Sequence, residues 1–166
     1  MLKINPKIFF LYLVTVILIF ILDRFTKIYI LSLAETNNLV DIYVAPFLNL
    51  YLIWNKGIAF GFFSFEQNSF YNFITILIII INLVILIMIM KINDIKAFFL
   101  SFILGGSFGN LFDRIYYSAV PDFIDFHIND FHWFIFNVAD VFISVGVVCL
   151  IIAEFIFNKI SKNEKN

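Results

Sequence analysis

Residues 74–90, ITILIIIINLVILIMIM, decide the fold class of this chain. Within the stretch only Thr75 and Asn82 are polar, and no charged residue, glycine or proline interrupts it. With its flanking residues the stretch reaches the ~20 apolar residues that a helix needs to cross the hydrocarbon core of a bilayer. It therefore predicts a membrane-spanning helix over residues 70–90 and indicates an integral membrane protein.

The composition of the whole chain agrees with this interpretation. Of its 166 residues, 63% are hydrophobic and 14% are charged, whereas a typical soluble domain has ~25% charged residues. The formal net charge of −1 provides no basic surface for nucleic acid, so we expect no nucleic-acid partner. The single cysteine, Cys149, excludes an internal disulfide and a multi-cysteine metal site. The length predicts one domain over residues 1–166.

Three further segments are long and apolar enough, or nearly so, to cross a membrane: residues 8–30, 97–113 and 138–157. The first follows Lys3 and Lys7 as a signal peptide would, but no small-residue cleavage site comes after it, so we expect a retained helix. The segment at residues 97–113 carries Gly105 and Gly109, whose spacing favours close helix packing. The predicted fold class is an all-α membrane protein with a four-transmembrane-helix bundle.

Lysines indicate the orientation of this bundle. They cluster before the first segment, in the hinge at residues 91–96 and in the tail after residue 157. Because short cytoplasmic connections carry an excess of Lys and Arg, both termini are predicted to be cytoplasmic. Residues 31–68 and 113–137 then lie on the outer side of the membrane.

The outer segments have their own patterns. Residues 42–54, IYVAPFLNLYLIW, are rich in aromatic and β-branched residues, and a turn sequence, residues 55–57, follows them. This pattern predicts a small outer-side β-element between helices 1 and 2. Residues 127–136, HINDFHWFIF, carry aromatics that suit the membrane interface.

Acidic residues gather at the predicted outer ends of the helices. Asp23, Asp113 and Asp140 lie on the first, third and fourth segments, and Asp122 and Asp125 lie between the last two. An ionisable group at membrane depth costs at least ~2.5–3.5 kcal/mol, so it marks a functional site by default. Single aspartates at helix ends also act as caps or interfacial anchors, and spacing alone leaves that alternative open.

Asp122 and Asp140 are the strongest candidates for a catalytic pair. On one helix they would lie ~27 Å apart, so we expect a chain reversal around Pro121 and residues 129–130 to bring them together. Two close carboxylates do not both ionise easily, which suits hydrolysis with one base and one acid. Asp113 is the main rival, and its neighbour Arg114 is expected to hold it ionised.

The two histidines, His127 and His132, lie beside Asp125 and Asp130 and suggest a metal site. No further ligand pattern supports one, so we expect no metal and interpret this segment as an interfacial surface.

Five motifs, in order along the chain, carry a family resemblance. They are DRFTK at 23–27, NKGIAFG at 55–61, GGSFGNLFDR at 105–114, VPDFIDF at 120–126 and FNVAD at 136–140. Together they closely resemble the lipoprotein signal peptidase family, also called signal peptidase II. Pro121 departs from the pattern, because an aliphatic residue is expected there.

The resemblance implies a bacterial aspartyl endopeptidase whose catalytic pair is Asp122 and Asp140. It implies supporting or substrate-binding roles for Asp23, Lys27, Asn55, Gly57, Asn110, Asp113, Arg114, Asn137 and Ala139. The implied substrates are diacylglyceryl-modified prolipoproteins, cut on the N-terminal side of the lipidated cysteine. The implied setting is the cytoplasmic (inner) membrane, with the active site near the outer face. We expect contact with membrane lipid, no cofactor and a monomer.

Physical reasons support several of these roles. Asp23 and Lys27 are four residues apart with the acid first, the favoured order for a helical ion pair. Asn137, three residues before Asp140, is predicted to donate to a catalytic carboxylate. Two other hypotheses remain at this stage: a transporter with a relay of Asp23, Asp113 and Asp140, and a non-catalytic membrane assembly factor.

Overall fold

A computed structural model describes residues 5–37, 39–57, 68–92, 94–129 and 131–163. In this part of the chain four long helices and four strands follow one another in the order α1, β1, β2, α2, α3, β3, β4, α4. The motif residues 58–61, the hinge residue Asn93 and the loop residue Asp130 lie outside the described residues.

The helices are α1 (Pro6–Asn37), α2 (Asn68–Lys91), α3 (Ile95–Tyr117) and α4 (Val138–Asn163). Each has the length and apolar composition to cross a membrane, which confirms the four predicted apolar helices. Isoleucine, which dominates α2, favours strands in water. In hydrocarbon, however, every backbone N–H and C=O group of a segment must be paired internally, and a single segment achieves this only as a helix.

All four helices extend beyond their predicted ends. The largest differences are in α1, which ends at Asn37 instead of residue 30, and α4, which continues to Asn163 instead of residue 157. Polar residues mark the end of the apolar stretch, but they do not end a helix. Helix α3 has explicit boundaries: the Asp94 side chain accepts a hydrogen bond from the Lys96 backbone N–H at its start, and Ser118 has a left-handed backbone conformation at its end.

Helix α3 lies at the centre of the bundle and packs against the other three helices. A side chain at Gly105 would meet the Ile19 side chain of α1 at 2.9 Å, and one at Gly106 would meet the Ala139 carbonyl of α4 at 2.5 Å. The glycines therefore allow α1 and α4 to approach α3 closely, as the small-residue spacing predicts. An apolar core lies between α3, α1 and α2, and its buried residues are Tyr12, Val16, Ile85, Ile89, Ala97, Leu100 and Leu104.

The strands form one antiparallel sheet in the order β1 (Asp41–Ala45), β2 (Leu48–Asn55), β3 (Val120–Ile128) and β4 (Phe131–Phe136). The prediction that the β-element belongs only to the connection between helices 1 and 2 is therefore wrong. Half of the sheet comes from the connection between α3 and α4. The local pattern of residues 42–54 shows strand character but not that its pairing partner lies elsewhere in the chain.

The pairing of β2 with β3 positions the candidate catalytic region. Ile53 is opposite Asp122, and Asn55 is opposite Val120. Because both connections join one sheet, they lie at the same end of the helices. The predicted chain reversal is the β3–β4 hairpin, where Asn129 has φ 51°. Pro121, which we expected in the reversal, lies inside β3 instead.

Candidate active site

Asp122 is held on β3 by two side-chain amides. As a whole residue, Asp122 is 2% exposed. Asn137 Nδ2 donates to Oδ1 at 2.6 Å, and Asn55 Nδ2 donates to Oδ2 at 2.9 Å. The predicted hydrogen bond from Asn137 to a candidate catalytic carboxylate is thus present, and its acceptor is Asp122.

Asp140 lies in the first turn of α4 and is partly buried. Its Oδ1 accepts from Asn110 Nδ2 at 2.8 Å, and its Oδ2 accepts from the Asn137 backbone N–H at 3.2 Å. In return, Asn137 Oδ1 accepts from the Asp140 backbone N–H at 3.1 Å. This reciprocal pair is a capping box, so the same bonds that start α4 also orient Asp140.

The three asparagine amides have fixed orientations. An amide presents its NH₂ group to a carboxylate only if its oxygen is directed elsewhere. In each residue a donor binds that oxygen: Lys27 Nζ binds Oδ1 of Asn110 at 2.9 Å, the Gly57 backbone N–H binds Oδ1 of Asn55 at 2.8 Å, and the Asp140 N–H binds that of Asn137. All three therefore present N–H donors to the carboxylate pair.

Burial raises the pKa of Asp122 from its ordinary value of 3.8 to about 7, and the charge of Asp140 adds to this effect. The amides of Asn55 and Asn137 and the charge of Lys27 oppose it, because they stabilise the ionised form. Two interacting carboxylates titrate as a unit, so this proton belongs to the pair. The pair therefore holds one proton up to about neutral pH.

A cluster of buried charges lies beside the pair, between α1 and α3. Lys27 is fully buried, and its ammonium uses all three of its donors. It binds Asp23 at 3.0 Å, Asn110 at 2.9 Å and Asp113 at 2.6 Å. The predicted Asp23–Lys27 pair therefore exists within a larger network.

Arg24 completes this cluster. Its guanidinium binds Asp23 at 2.9 Å and Asp113 at 2.6 Å. The expectation that Arg114 holds Asp113 is wrong, because successive residues of a helix point about 100° apart. Two cations and two carboxylates thus balance one another, and Asp113 acts as a structural partner of α1.

Two hydrogen bonds join the charge cluster to the carboxylate pair. Asn110 connects Lys27 to Asp140, as described above. The Ala139 backbone N–H donates to Asp23 Oδ1 at 3.1 Å, so the start of α4 is bound to α1. The position of Asp140 therefore depends on both α1 and α3.

Arg114 points away from the charge cluster, toward β2 and α2. Its Nη2 donates to the Gly57 carbonyl, and its guanidinium lies over the Tyr71 ring, 5.4 Å from the ring centre. Within the described part of the chain, its Nε and Nη1 atoms are buried without a hydrogen-bond partner.

Both candidate carboxylates line one cavity of about 240 Å³. Its polar lining includes Asn55, Asn110 and Arg114. The cavity also contains residues that sequence reasoning missed: Ile78, Ser107, Val120, Ile143 and Ser144. Helical spacing was the available signal for three of them, since Ser107 precedes Asn110 by three residues, and Ile143 and Ser144 follow Asp140 by three and four.

The sequence of this chain matches a known family. A family model described as signal peptidase (SPase) II matches residues 15–156. The chain belongs to the signal peptidase II family. Among its relatives, the lipoprotein signal peptidase of Pelagibacter ubique (strain HTCC1062) is 58% identical over 164 residues, with 99% of each chain covered. That of Aquifex aeolicus (strain VF5) is 37% identical and covers 96% of this chain and 95% of its own.

The fold has a similar match. A solved structure of a bacterial membrane enzyme, determined by the in meso method, is 29% identical and has a TM-score of 0.70. The match covers 92% of this chain and 90% of that one. As a signal peptidase II, the chain is a peptidase and a multi-pass membrane protein, and the family resemblance seen in the five sequence motifs is confirmed.

In this signal peptidase II, Asn137 donates to Asp122 and caps α4, and we expect substitutions of Asn137 to separate the effects of these two contacts. Asn137→Ser keeps an oxygen that caps α4 but removes the amide that binds Asp122, so cleavage should fall strongly while the unfolding free energy stays near wild type. Asn137→Ala removes both contacts and should also cost about 1 kcal/mol of stability. Cleavage of a prolipoprotein and unfolding in detergent micelles measure the two effects. Wild-type turnover by Asn137→Ser would show that the amide does not contribute.

Removal of Lys27 should destabilise the bundle. Lys27→Met leaves Asp23 and Asp113 buried with only Arg24, and breaking a buried ion pair costs about 3–5 kcal/mol. The matched control is Lys96→Met, which removes a solvent-facing ion pair with Glu154 and should change stability little. Unfolding of both variants in mixed micelles provides the comparison. Equal losses in the two variants would contradict a stabilising role of the buried cluster.

Proposed function

We propose that this chain is an aspartyl endopeptidase in which Asp122 and Asp140 hydrolyse the signal peptide of diacylglyceryl-modified prolipoproteins. The cut lies on the N-terminal side of the lipidated cysteine. The observation that carries the proposal is the position of both carboxylates on one cavity, each oriented by amide donors. Relatives named lipoprotein signal peptidase support this choice of substrate.

The proposed reaction uses the single proton of the pair. The ionised carboxylate takes a proton from a water molecule as that water attacks the scissile carbonyl carbon, and the protonated carboxylic acid donates to the carbonyl oxygen. The resulting tetrahedral intermediate then collapses. Its C–N bond breaks as the departing nitrogen takes the proton that one carboxyl group holds. The other carboxylate takes a proton from a hydroxyl group of the intermediate, which becomes the new carboxyl group, so the pair returns to one proton. No cofactor is required in this scheme.

Arg114 is the proposed holder of the substrate backbone. It borders the cavity and has two N–H groups without a hydrogen-bond partner in the described part of the chain. A substrate carbonyl is an acceptor of the required kind, and a fixed donor costs no reorganisation during the reaction. Asn55, Asn110 and Asn137 orient the two carboxylates. Gly57 holds Asn55 and Arg114, and the remaining supporting residues, Asp23, Lys27, Asp113 and Ala139, position Asn110 and the start of α4.

The cavity also suits a lipidated substrate. Its walls include Ile78 of α2 and Ile143 of α4, so apolar helix faces border the carboxylate pair. Both helices expose many large apolar side chains on their outer surfaces, as lipid contact requires. A signal helix and its acyl chains can therefore approach from the bilayer. We propose that the protein acts as a monomer surrounded by lipid.

The proposed location is the bacterial inner membrane, with both termini cytoplasmic and the sheet at the outer face. The lysine distribution supports this orientation. The hairpin β3–β4 exposes Phe131 and Trp133, which suit the interface between lipid and water. A transporter relay has less support, since Asp23 and Asp113 are held in ion pairs with Arg24 and Lys27.

Substitution of either catalytic aspartate should abolish cleavage. We expect Asp122→Asn and Asp140→Asn to lose the electrophoretic shift of a diacylglyceryl prolipoprotein in reconstituted membranes. Each variant retains only one carboxyl group of the pair, and one group cannot act as base and acid at once. The matched control is Asp41→Asn, an exposed carboxylate of β1, which should cut at the wild-type rate. Retention of the helical circular dichroism spectrum shows that each variant is folded.

The same assay includes Asp113→Asn. Weaker ion pairing should lower its stability, but the folded fraction should still cut. Turnover by Asp122→Asn together with a folded, inactive Asp113→Asn would contradict the proposed pair.

The cleavage rate should fall as pH rises through about 7, because the pair then loses the proton it donates. The Asn55 hydrogen bond lowers the pKa of Asp122, so its removal in Asn55→Ala should raise that pKa further. The alkaline limb of the pH–rate profile should therefore move to higher pH. Asp41→Asn should leave the limb unchanged, and a shift of the Asn55→Ala limb to lower pH would contradict the assignment.

A further inference from the structure

We propose that Asp125, His127 and His132 form a binding site for a divalent transition-metal ion of the Zn²⁺ class on the β3–β4 hairpin. One ligand atom from each residue lies within 4.8 Å of the others. The site is independent of the proposed peptidase chemistry and lies on the sheet, outside the four helices. The sequence supports no metal site here, because a spacing of five residues between two histidines does not show whether a third ligand faces them.

The strand register brings the three side chains together. His127 is directly opposite His132 across the hairpin, and their rings stack 5.0 Å apart. Asp125, two residues before His127, points to the same face, since side chains alternate along a strand. His132 Nδ1 is 2.9 Å from Asp125 Oδ2, and His127 Nδ1 is 3.9 Å from the same oxygen.

These distances bracket those of a metal site. Around a tetrahedral zinc ion with bonds of ~2.0–2.1 Å, two ligand atoms lie about 3.3 Å apart. The His132–Asp125 separation of 2.9 Å is shorter than this, and the His127–Asp125 separation of 3.9 Å is longer. Small side-chain rotations, without a change in the backbone, would therefore place all three atoms at bonding distance from one ion.

A hydrogen bond between His132 and Asp125 accounts for only part of the arrangement. His127 Nδ1 is buried and has no hydrogen-bond partner among the described residues. A buried polar atom without a partner is costly, and here it faces a carboxylate already bound to another imidazole. A shared cation would satisfy both imidazole nitrogens and the carboxylate at once.

A second polar atom without a partner lies next to this group. Asn49 is opposite Asp125 in the β2–β3 pairing, and its Oδ1 atom is buried without a hydrogen bond in the described part of the chain. Asn49, Asp125 and His132 line one cavity of about 340 Å³. The cavity leaves room for water or for the Asn49 oxygen at the fourth position of an ion.

The donor set determines the class of ion. Two imidazoles and one carboxylate suit Zn²⁺ and related transition metals, whereas Mg²⁺ and Ca²⁺ prefer oxygen ligands alone. Access is open because the His132 side chain is 54% exposed. The bound ion would join β3, the strand that carries Asp122, to β4.

The test is a Zn²⁺ titration of metal-free protein in detergent micelles, in competition with a fluorescent chelator. The protein is purified without an oligohistidine tag, because a tag would itself bind Zn²⁺ and hide binding by the two histidines of the chain. We expect one bound ion per chain and a higher Tm with Zn²⁺. His132→Ala is the main variant, since its side chain is half exposed and the fold should tolerate the loss. The affinity of this variant for Zn²⁺ should fall at least roughly tenfold. Loss of a side chain that only hydrogen-bonds a metal ligand already costs that much, and His132 is proposed as a ligand itself.

Two further variants and two controls complete the experiment. Asp125→Asn and His127→Gln should also weaken binding and remove the Tm shift. Ile128→Ala, an exposed neighbour on β3, and Asp122→Asn, in the carboxylate pair, should bind Zn²⁺ as wild type does. Absence of saturable one-to-one binding would overturn the proposal, as would wild-type affinity in His132→Ala. Loss of binding in Asp122→Asn alone would place the ion at the carboxylate pair and would also overturn it.

Discussion

The buried ammonium of Lys27 is the constraint on which the rest of this structure depends. It joins a carboxylate on its own helix, Asp23, to a carboxylate and an amide on α3, Asp113 and Asn110. Removing a charge from water costs several kcal/mol, and a buried ion pair whose members are all replaced together by apolar residues often loses no stability, although removal of one member alone is costly. The value of this ammonium therefore lies in position: it fixes the distance between α1 and α3 and turns the Asn110 amide so that its NH₂ group faces Asp140.

Helix stability and site geometry depend on the same bonds at the start of α4. The capping box of Asn137 and Asp140 satisfies backbone groups that the first turn would leave unpaired, and it orients both members of the proposed catalytic pair. The Ala139 N–H extends this arrangement to Asp23. Contacts from α1, α3, β2 and the start of α4 thus restrict the orientation of the two carboxylates, directly or through a neighbouring side chain. Fixed geometry of this kind is the condition for efficient proton transfer.

Sequence reasoning succeeded where the physical signal is local. Runs of apolar residues identify the four helices, because a bilayer requires internally paired backbone over a fixed length. The glycine spacing in α3 indicates close packing, and the motif series identifies the family. The sequence also contains the pattern of the capping box, an asparagine followed three residues later by an acid. From this pattern we predicted only that Asn137 donates to a catalytic carboxylate. The extent of α1 and α4 was missed because a helix can continue into the polar residues that follow an apolar stretch, so no change in hydropathy marks its last turn.

The sequence by itself determined the membrane fold, the family and the identity of the acidic residues, since each follows from residue type and order. Tertiary structure alone decided which groups meet. It pairs β2 with β3 across two distant connections, gives Asp113 to Arg24 instead of Arg114, and brings His127 and His132 to Asp125. The physical reason is common to all three: pairing partners far apart in the chain are selected by the packing of helices and the register of strands, and neither is encoded in any short segment.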